Sequence, residues 1–213
     1  MRGWSAQDGG HAERLAAVVR QLNSSGHNPA TSGNYSFRAT SPEYCLVSES
    51  GVDKSAFAAT HFLPVSYDTA RLHPTVEGSG RRSSAETAVH VSIYRATEAN
   101  CVLHSHLLEG LWFADLYPDQ PVVFLEGMEL LKGFKDVTTH DTRVAVPTFP
   151  NTQDMDALAR DIEAALAEHR PAYGLLLRHH GLYVWGGSVE EAKRHLEVFE
   201  YLFKYFLQKG RVV

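Results

Sequence analysis

Hydrophobic positions recur along the chain in two rhythms. Leu15, Val18, Val19 and Leu22 stand at i, i+3, i+4 and i+7, the stripe of an amphipathic helix that Ser25-Gly26 ends. Asn34–Ala39 and Tyr44–Val47 flank Ser41-Pro42 and predict a hairpin. Phe62–Tyr67 and Ala70–His73 predict a second strand pair. Ser83-Ser84-Ala85-Glu86 reads as an S-x-x-E capping box opening a helix to about Ala96. Strands follow at Asn100–His106 and Val122–Leu125, with a helix over His106–Leu116 between them and a short one near Met128–Lys132. Arg143–Val146 predicts a strand stopped by Pro147, and Asn151-Thr152 caps a helix carrying Leu158, Ile162 and Leu166 on one face. Tyr173–Arg178 and Leu182–Trp185 are short apolar strands around His179-His180-Gly181. Ser188 and Glu191 open a last helix to about Gln208. Its stripe of Ala192, Leu196, Phe199, Phe203 and Phe206 suits burial against the sheet or a second copy.

Strands and helices alternate without repeat or low-complexity linker. The expected class is therefore α/β or α+β, a central sheet covered by helices. Short turns between neighbouring strands favour antiparallel or mixed pairing. Residues 1–10 are polar and Gly-rich, and are expected to form a flexible N-terminus before a single domain over 11–213.

Composition narrows the function classes. Of 213 residues, 44% are hydrophobic and 21% charged, so the chain can build a core. A formal net charge of -5 without a basic run argues against nucleic acid as a partner. No apolar stretch approaches the roughly 18 residues of a membrane span, and the first residues lack the apolar core of a secretory signal. Cys45 and Cys101 make no disulfide framework, which points to the cytoplasm. The 12 histidines raise a metal or acid/base question that a count cannot answer.

Spacing answers part of it. In Val102-Leu103-His104-Ser105-His106, positions i and i+2 of a strand share one face, so His104 and His106 project side by side. Arg178-His179-His180-Gly181 places another pair at a strand end before a turn, of which one imidazole can face the same site. Three neutral imidazoles would leave a position open on zinc, while paired exposed histidines would do nothing. Glu86 competes between capping its helix and chemistry. Ser83, Ser84 and the helix amides form a potential anion site beside Arg81 and Arg82, with Ser48-Glu49-Ser50-Gly51 as a second set of donors. Glu126 and Glu129 are carboxylates near a short helix, solvated in the ordinary case.

Taken together, Gly33-Asn34-Tyr35-Ser36, Ser50-Gly51, Ser83-Ser84-Ala85-Glu86, His104-Ser105-His106 and His179-His180-Gly181 resemble the class II aldolase/adducin-like family in order and spacing. The resemblance covers about residues 12–208. The segments Glu129–Gly133, Asn151-Thr152 and His180–Gly186 resemble its branch that dehydrates 5-methylthioribulose 1-phosphate in methionine salvage. The resemblance implies an α/β, three-layer αβα fold with a central, mainly antiparallel sheet flanked by helices, and a homotetramer with sites near subunit boundaries. It implies one Zn²⁺ per subunit on His104, His106 and His180, and Glu129 as acid/base. It also implies phosphate binding near Asn34, Ser50, Gly51, Ser83 and Ser84, and a catalytic carboxylate at Glu86 in the aldolase branch. Ala85 stands where aldolases commonly have serine. A sugar-phosphate aldolase or epimerase remains the alternative. A non-catalytic adducin-like module is disfavoured by the three intact histidines.

Overall fold

The structure is a computed structural model and describes residues 4–76 and 78–209. Eight strands form one sheet: β1 (Asn34–Arg38), β2 (Tyr44–Ser48), β3 (Phe62–Ser66), β4 (Cys101–Ser105), β5 (Val122–Glu126), β6 (Arg143–Phe149), β7 (Gly174–Leu177) and β8 (Gly181–Gly186). Their order is β3-β2-β1-β4-β8-β7-β6-β5. Every neighbouring pair is antiparallel except β6 and β7. Five helices cover it: α1 (Ala6–Ser24), α2 (Thr87–Ala96), α3 (Leu108–Asp115), α4 (Met155–Glu168) and α5 (Val189–Lys209).

Strand alternation divides the apolar residues between two cores. Tyr35, Phe37, Leu103, Leu182 and Val184 face α1, α3 and α5 and pack with Leu15, Phe113, Phe199 and Phe203. Val102, Tyr183 and Trp185 face the opposite way, onto Val89, Ile93, Leu158 and Ile162 of α2 and α4. This is the expected three-layer αβα class. The apolar stripe of α5 is largely consumed within the chain: Ala192, Leu196, Phe199, Leu202 and Phe203 are buried, leaving Tyr201 and Tyr205 outward.

Four local expectations are corrected. The polar segment before residue 11 is helical from Ala6, because Ser5 and Asp8 form a reciprocal capping box. Asp8 also accepts from the Thr40 amide and hydroxyl at 2.8 and 2.7 Å, pinning the helix start to the β1–β2 turn. Pro147 does not end its strand. It stands opposite Val122, while the amides of Ala145 and Thr148 bond Pro171 and Pro121. The cap of α4 is Asp154, whose side chain accepts from the Ala157 amide, not Asn151-Thr152. Ala70–His73 contributes a single bridge, Val65 to Leu72, rather than a strand.

Burial favours the neutral form of Asp8, but the hydrogen bonds from Thr40 and Ser5 outweigh it and hold the carboxyl below its ordinary 3.8. Asp8→Ala should cost about 1–2 kcal/mol and lower Tm by a few degrees. Because the native pKa is depressed, the wild-type advantage should be full above the ordinary value and vanish as pH falls through the native one. Thermal melts of both proteins across that range check both points.

Candidate metal and anion site

The register of three adjacent strands builds the site. Asn34 of β1 stands opposite His104 of β4, and His104 opposite Tyr183 of β8. These three side chains thus form one row on the α2 face of the sheet. The His104 ring stacks on Tyr183 with centroids 4.0 Å apart. Gly181 makes that approach feasible, since a Cβ there would lie 2.5 Å from the Ser105 carbonyl oxygen and 2.8 Å from His104 Cε1. Gly33, at φ 78°, turns the chain into β1 where a side chain would strike the His104 carbonyl.

His106 lies one residue beyond β4, yet its ring remains 5.0 Å from that of His104, and His180 is 5.1 Å from both. One ligand nitrogen of each lies within 4.8 Å of the others. His179 and His180 diverge as expected of adjacent residues. His179 takes φ 55° and points out toward Asp115, whereas His180 turns in.

Glu86 is not part of a capping box. It occupies the N-cap position of α2 without a side-chain cap bond. Its carboxylate reaches the sheet instead, accepting from Asn34 Nδ2 at 2.7 Å and Tyr183 Oη at 2.5 Å. Its oxygens also lie 2.9 Å from His180 Nε2 and 3.3 Å from His104 Nε2. Burial raises the Glu86 pKa, but the polar contacts with His104, His180, Tyr183 and Asn34 hold it well below the usual carboxylate range. Burial conversely pushes His104 down to about 3, so its imidazole is neutral.

Neutral imidazoles constrain the protons. His104 Nδ1 donates to the Leu182 carbonyl at 3.1 Å, which leaves Nε2 as a bare lone pair near an anionic oxygen. That Nε2 is buried and without a hydrogen bond, as is His180 Nδ1. Two orphaned imidazole nitrogens and a third within reach form a donor set that fits a divalent cation preferring nitrogen, with the His104 carbonyl bond orienting the ring.

Behind Asn34 runs a buried relay. With Nδ2 donating to Glu86, Asn34 Oδ1 accepts from His90 Nε2 at 2.5 Å. His90 Nδ1 then accepts from Ser36 Oγ at 2.7 Å, and Ser36 Oγ accepts from Tyr94 Oη at 2.7 Å. Burial pushes His90 down to about 4, matching the neutral tautomer this chain requires. Asn34 is therefore an orienting group for Glu86, its amide already engaged at both ends.

Asn34, Ser50, Gly51, Ser84, Glu86 and His106 all line one cavity of about 180 Å³. A bridge between Glu49 and Ser83, with the Ser50 amide on the Arg82 carbonyl, draws the two serine segments together. Ser83 itself is outside that wall, and Arg81 is occupied by Glu49. Glu129 is elsewhere, on the 3₁₀ turn Glu129–Gly133 beyond edge strand β5. It is exposed, bound to Lys132 at 2.6 Å and 3.7 Å from His140. The Lys132 hydrogen bond lowers its pKa.

Sequence reasoning missed His90 and Tyr183. Glu86, His90 and Tyr94 are spaced i, i+4, i+8, a polar ladder on one face of α2, and that signal could have found His90. Tyr183 is buried among apolar neighbours in a strand and has no such mark.

His104→Ala should lower the divalent metal retained after dialysis against that metal, measured by elemental analysis. Unchanged metal content would remove His104 from the ligand set.

Residues 13–207 match the Class II Aldolase and Adducin N-terminal domain. The chain is 40% identical over 201 residues to the methylthioribulose-1-phosphate dehydratase of Picosynechococcus sp., covering 94% of this chain and 92% of that protein. It is 41% identical over 194 residues to the same-named protein of Xanthomonas oryzae pv. oryzae, covering 91% and 83%. Among solved structures it resembles the l-fuculose-1-phosphate aldolase of Thermus thermophilus, with TM-score 0.70, 24% identity and coverage of 92% and 94%. An aldolase II superfamily protein of Pseudomonas syringae superposes with TM-score 0.74 at 21% identity, covering 97% and 78%. The chain belongs to the class II aldolase and adducin N-terminal domain family.

Proposed function

We propose that this protein dehydrates 5-methylthioribulose 1-phosphate to 2,3-diketo-5-methylthiopentyl 1-phosphate and water, as a hydro-lyase of methionine salvage. The observation that carries this reading is the 40% identity, over nearly the whole chain, with a protein named for that dehydration. The aldolase structure above is 24% identical.

His104, His106 and His180 would hold a single Zn²⁺ per subunit, for which three imidazoles are suitable ligands. Such an ion supplies Lewis acidity that polarises the substrate C2 carbonyl and acidifies C3–H. The remaining chemistry is proton transfer. Glu129 removes the C3 proton, and the electron pair left on C3 expels the C4 hydroxyl. The same carboxyl returns its proton to that leaving group, releasing water. The C3 enol then loses its hydroxyl proton as C4 gains one, giving the diketone. Glu86, held ionised by its three donors, orients the substrate hydroxyls at the other side of the histidines.

Glu129 can reach a substrate only if a neighbouring copy presents it, so the reading includes an oligomer, a homotetramer by preference. Support comes from exposed apolar residues: Leu108 and Trp112 on α3 with Leu116 at its C-cap, spaced i, i+4, i+8, and Phe124 and Leu130 on either side of Glu129 in sequence. No described helix is long and apolar enough to cross a membrane. With Cys45 and Cys101 free and buried, we place the protein in the cytoplasm.

One observation favours a second reading. Glu86 is an ionised carboxylate touching two of the three histidines, where an aldolase or epimerase would want its base. Product analysis on zinc-loaded protein separates the two: the diketone supports dehydration, and triose-phosphate-type fragments overturn it. Glu129→Gln should slow dehydration by about a hundredfold or more with zinc content intact. Near-normal turnover would remove Glu129 from the mechanism.

A further inference from the structure

One carboxylate that the chemistry above does not use reaches the segment carrying His106. Glu200 stands on α5 with its side chain 23% exposed. One of its oxygens lies 3.1 Å from His27 Nε2, and an ionised carboxylate only accepts, so the imidazole donates. The other oxygen accepts from Lys204 Nζ at 2.5 Å, and that ammonium also lies 3.8 Å from Glu109. The bond from His27, with that from Lys204, outweighs partial burial and holds Glu200 well below the usual carboxylate range. His27 is itself only 6% exposed and is tied at three points. Its amide donates to the Leu22 carbonyl at 3.0 Å, its ring meets Glu200, and its carbonyl accepts from the His106 amide at 3.1 Å.

The last of these bonds matters because β4 stops at Ser105. The final partners of that strand are Asn34 with His104 and Leu182 with Ser105, so His106 falls outside its pairing. The His27 carbonyl takes the place of a strand neighbour there. Two residues further on α3 begins, and Glu109 in its first turn is the group that Lys204 reaches. Glu200 therefore acts on both ends of the segment from His106 to Glu109, through His27 at one and Lys204 at the other. His104 has a different support, since strand register and the Leu182 carbonyl place it. A ligand beyond the strand needs its own anchor for its ring to stay 5.0 and 5.1 Å from the other two.

We propose that Glu200, acting through His27 and Lys204, is a positioning residue that holds His106 in ligand geometry and so sets the affinity of the three histidines for a divalent cation. This rests on the metal reading above, but its test needs no turnover. Co²⁺ is titrated into metal-free protein against a competing chelator, and the visible absorption of the bound ion is recorded. Glu200→Leu should weaken Co²⁺ binding by about tenfold or more, the scale of losing an outer support of a metal ligand. Its spectrum should move toward that of His106→Ala, because the bands follow the ligand set and its geometry. Glu200→Gln keeps an acceptor for His27 and should retain most of the affinity. Asp8→Ala, destabilised beyond the opposite end of β1, should bind Co²⁺ as wild type does, which separates positioning from lost stability. Folded Glu200→Leu with wild-type affinity and spectrum overturns the assignment, as does an equal loss in Asp8→Ala. If Glu200→Leu does not fold, His27→Leu removes the same bond from its other end and is judged by the same two readouts. Co²⁺ bound alike by wild type and variant overturns this assignment alone. A wild-type protein that takes up no Co²⁺ overturns the metal reading and this assignment together.

Discussion

The carboxylate of Glu86 is the constraint around which the site is arranged. Moving a carboxylate out of water costs several kcal/mol even after relaxation. Here three donors on different elements offset it: Asn34 of β1, Tyr183 of β8 and His180 of the β7–β8 turn. At about 1.5–3 kcal/mol for each bond to a charged group, the three roughly balance the desolvation. Removing any one leaves the anion under-satisfied. The same bonds attach the N-terminus of α2 to the centre of the sheet, so one interaction couples the helix layer to the strands.

The histidines inherit their state from this anion and their burial. A neutral His104, with Nδ1 bonded to a carbonyl, presents Nε2 beside Glu86 as a bare Lewis base. The relay from Asn34 through His90 and Ser36 to Tyr94 fixes the amide orientation on which Glu86 depends. An inverted Asn34 amide would set an oxygen against the carboxylate and an amino group against the His90 N–H, two repulsive contacts in a dry environment. The polar interior is thus determined in one direction, with each proton placed by its neighbour.

Much of this was legible in the chain. Alternation and helical stripes recovered the layers, since burial enforces both periods. The two-residue spacing of His104 and His106 predicted their shared direction, and the turn at His180-Gly181 predicted the third imidazole. Contacts between distant segments were less legible. Ser83–Glu86 carries a perfect local capping pattern, but a distant row of donors outcompetes the local cap. Ser5 and Asp8 carry an equally local box that does form, because Thr40 reinforces rather than rivals it.

The row formed by Asn34, His104 and Tyr183 ties chemistry to strand pairing in an all-or-none manner. Side chains alternate with a period of two, so slipping β1 or β8 by one residue against β4 would send its member of the row into the opposite core. Partial misalignment has no half-active counterpart. Loops at the far ends of these strands can lengthen without consequence for the site, whereas a single inserted residue within them inverts its polarity. The sheet therefore acts as a parity check on the fold, admitting only correctly threaded chains to a working site.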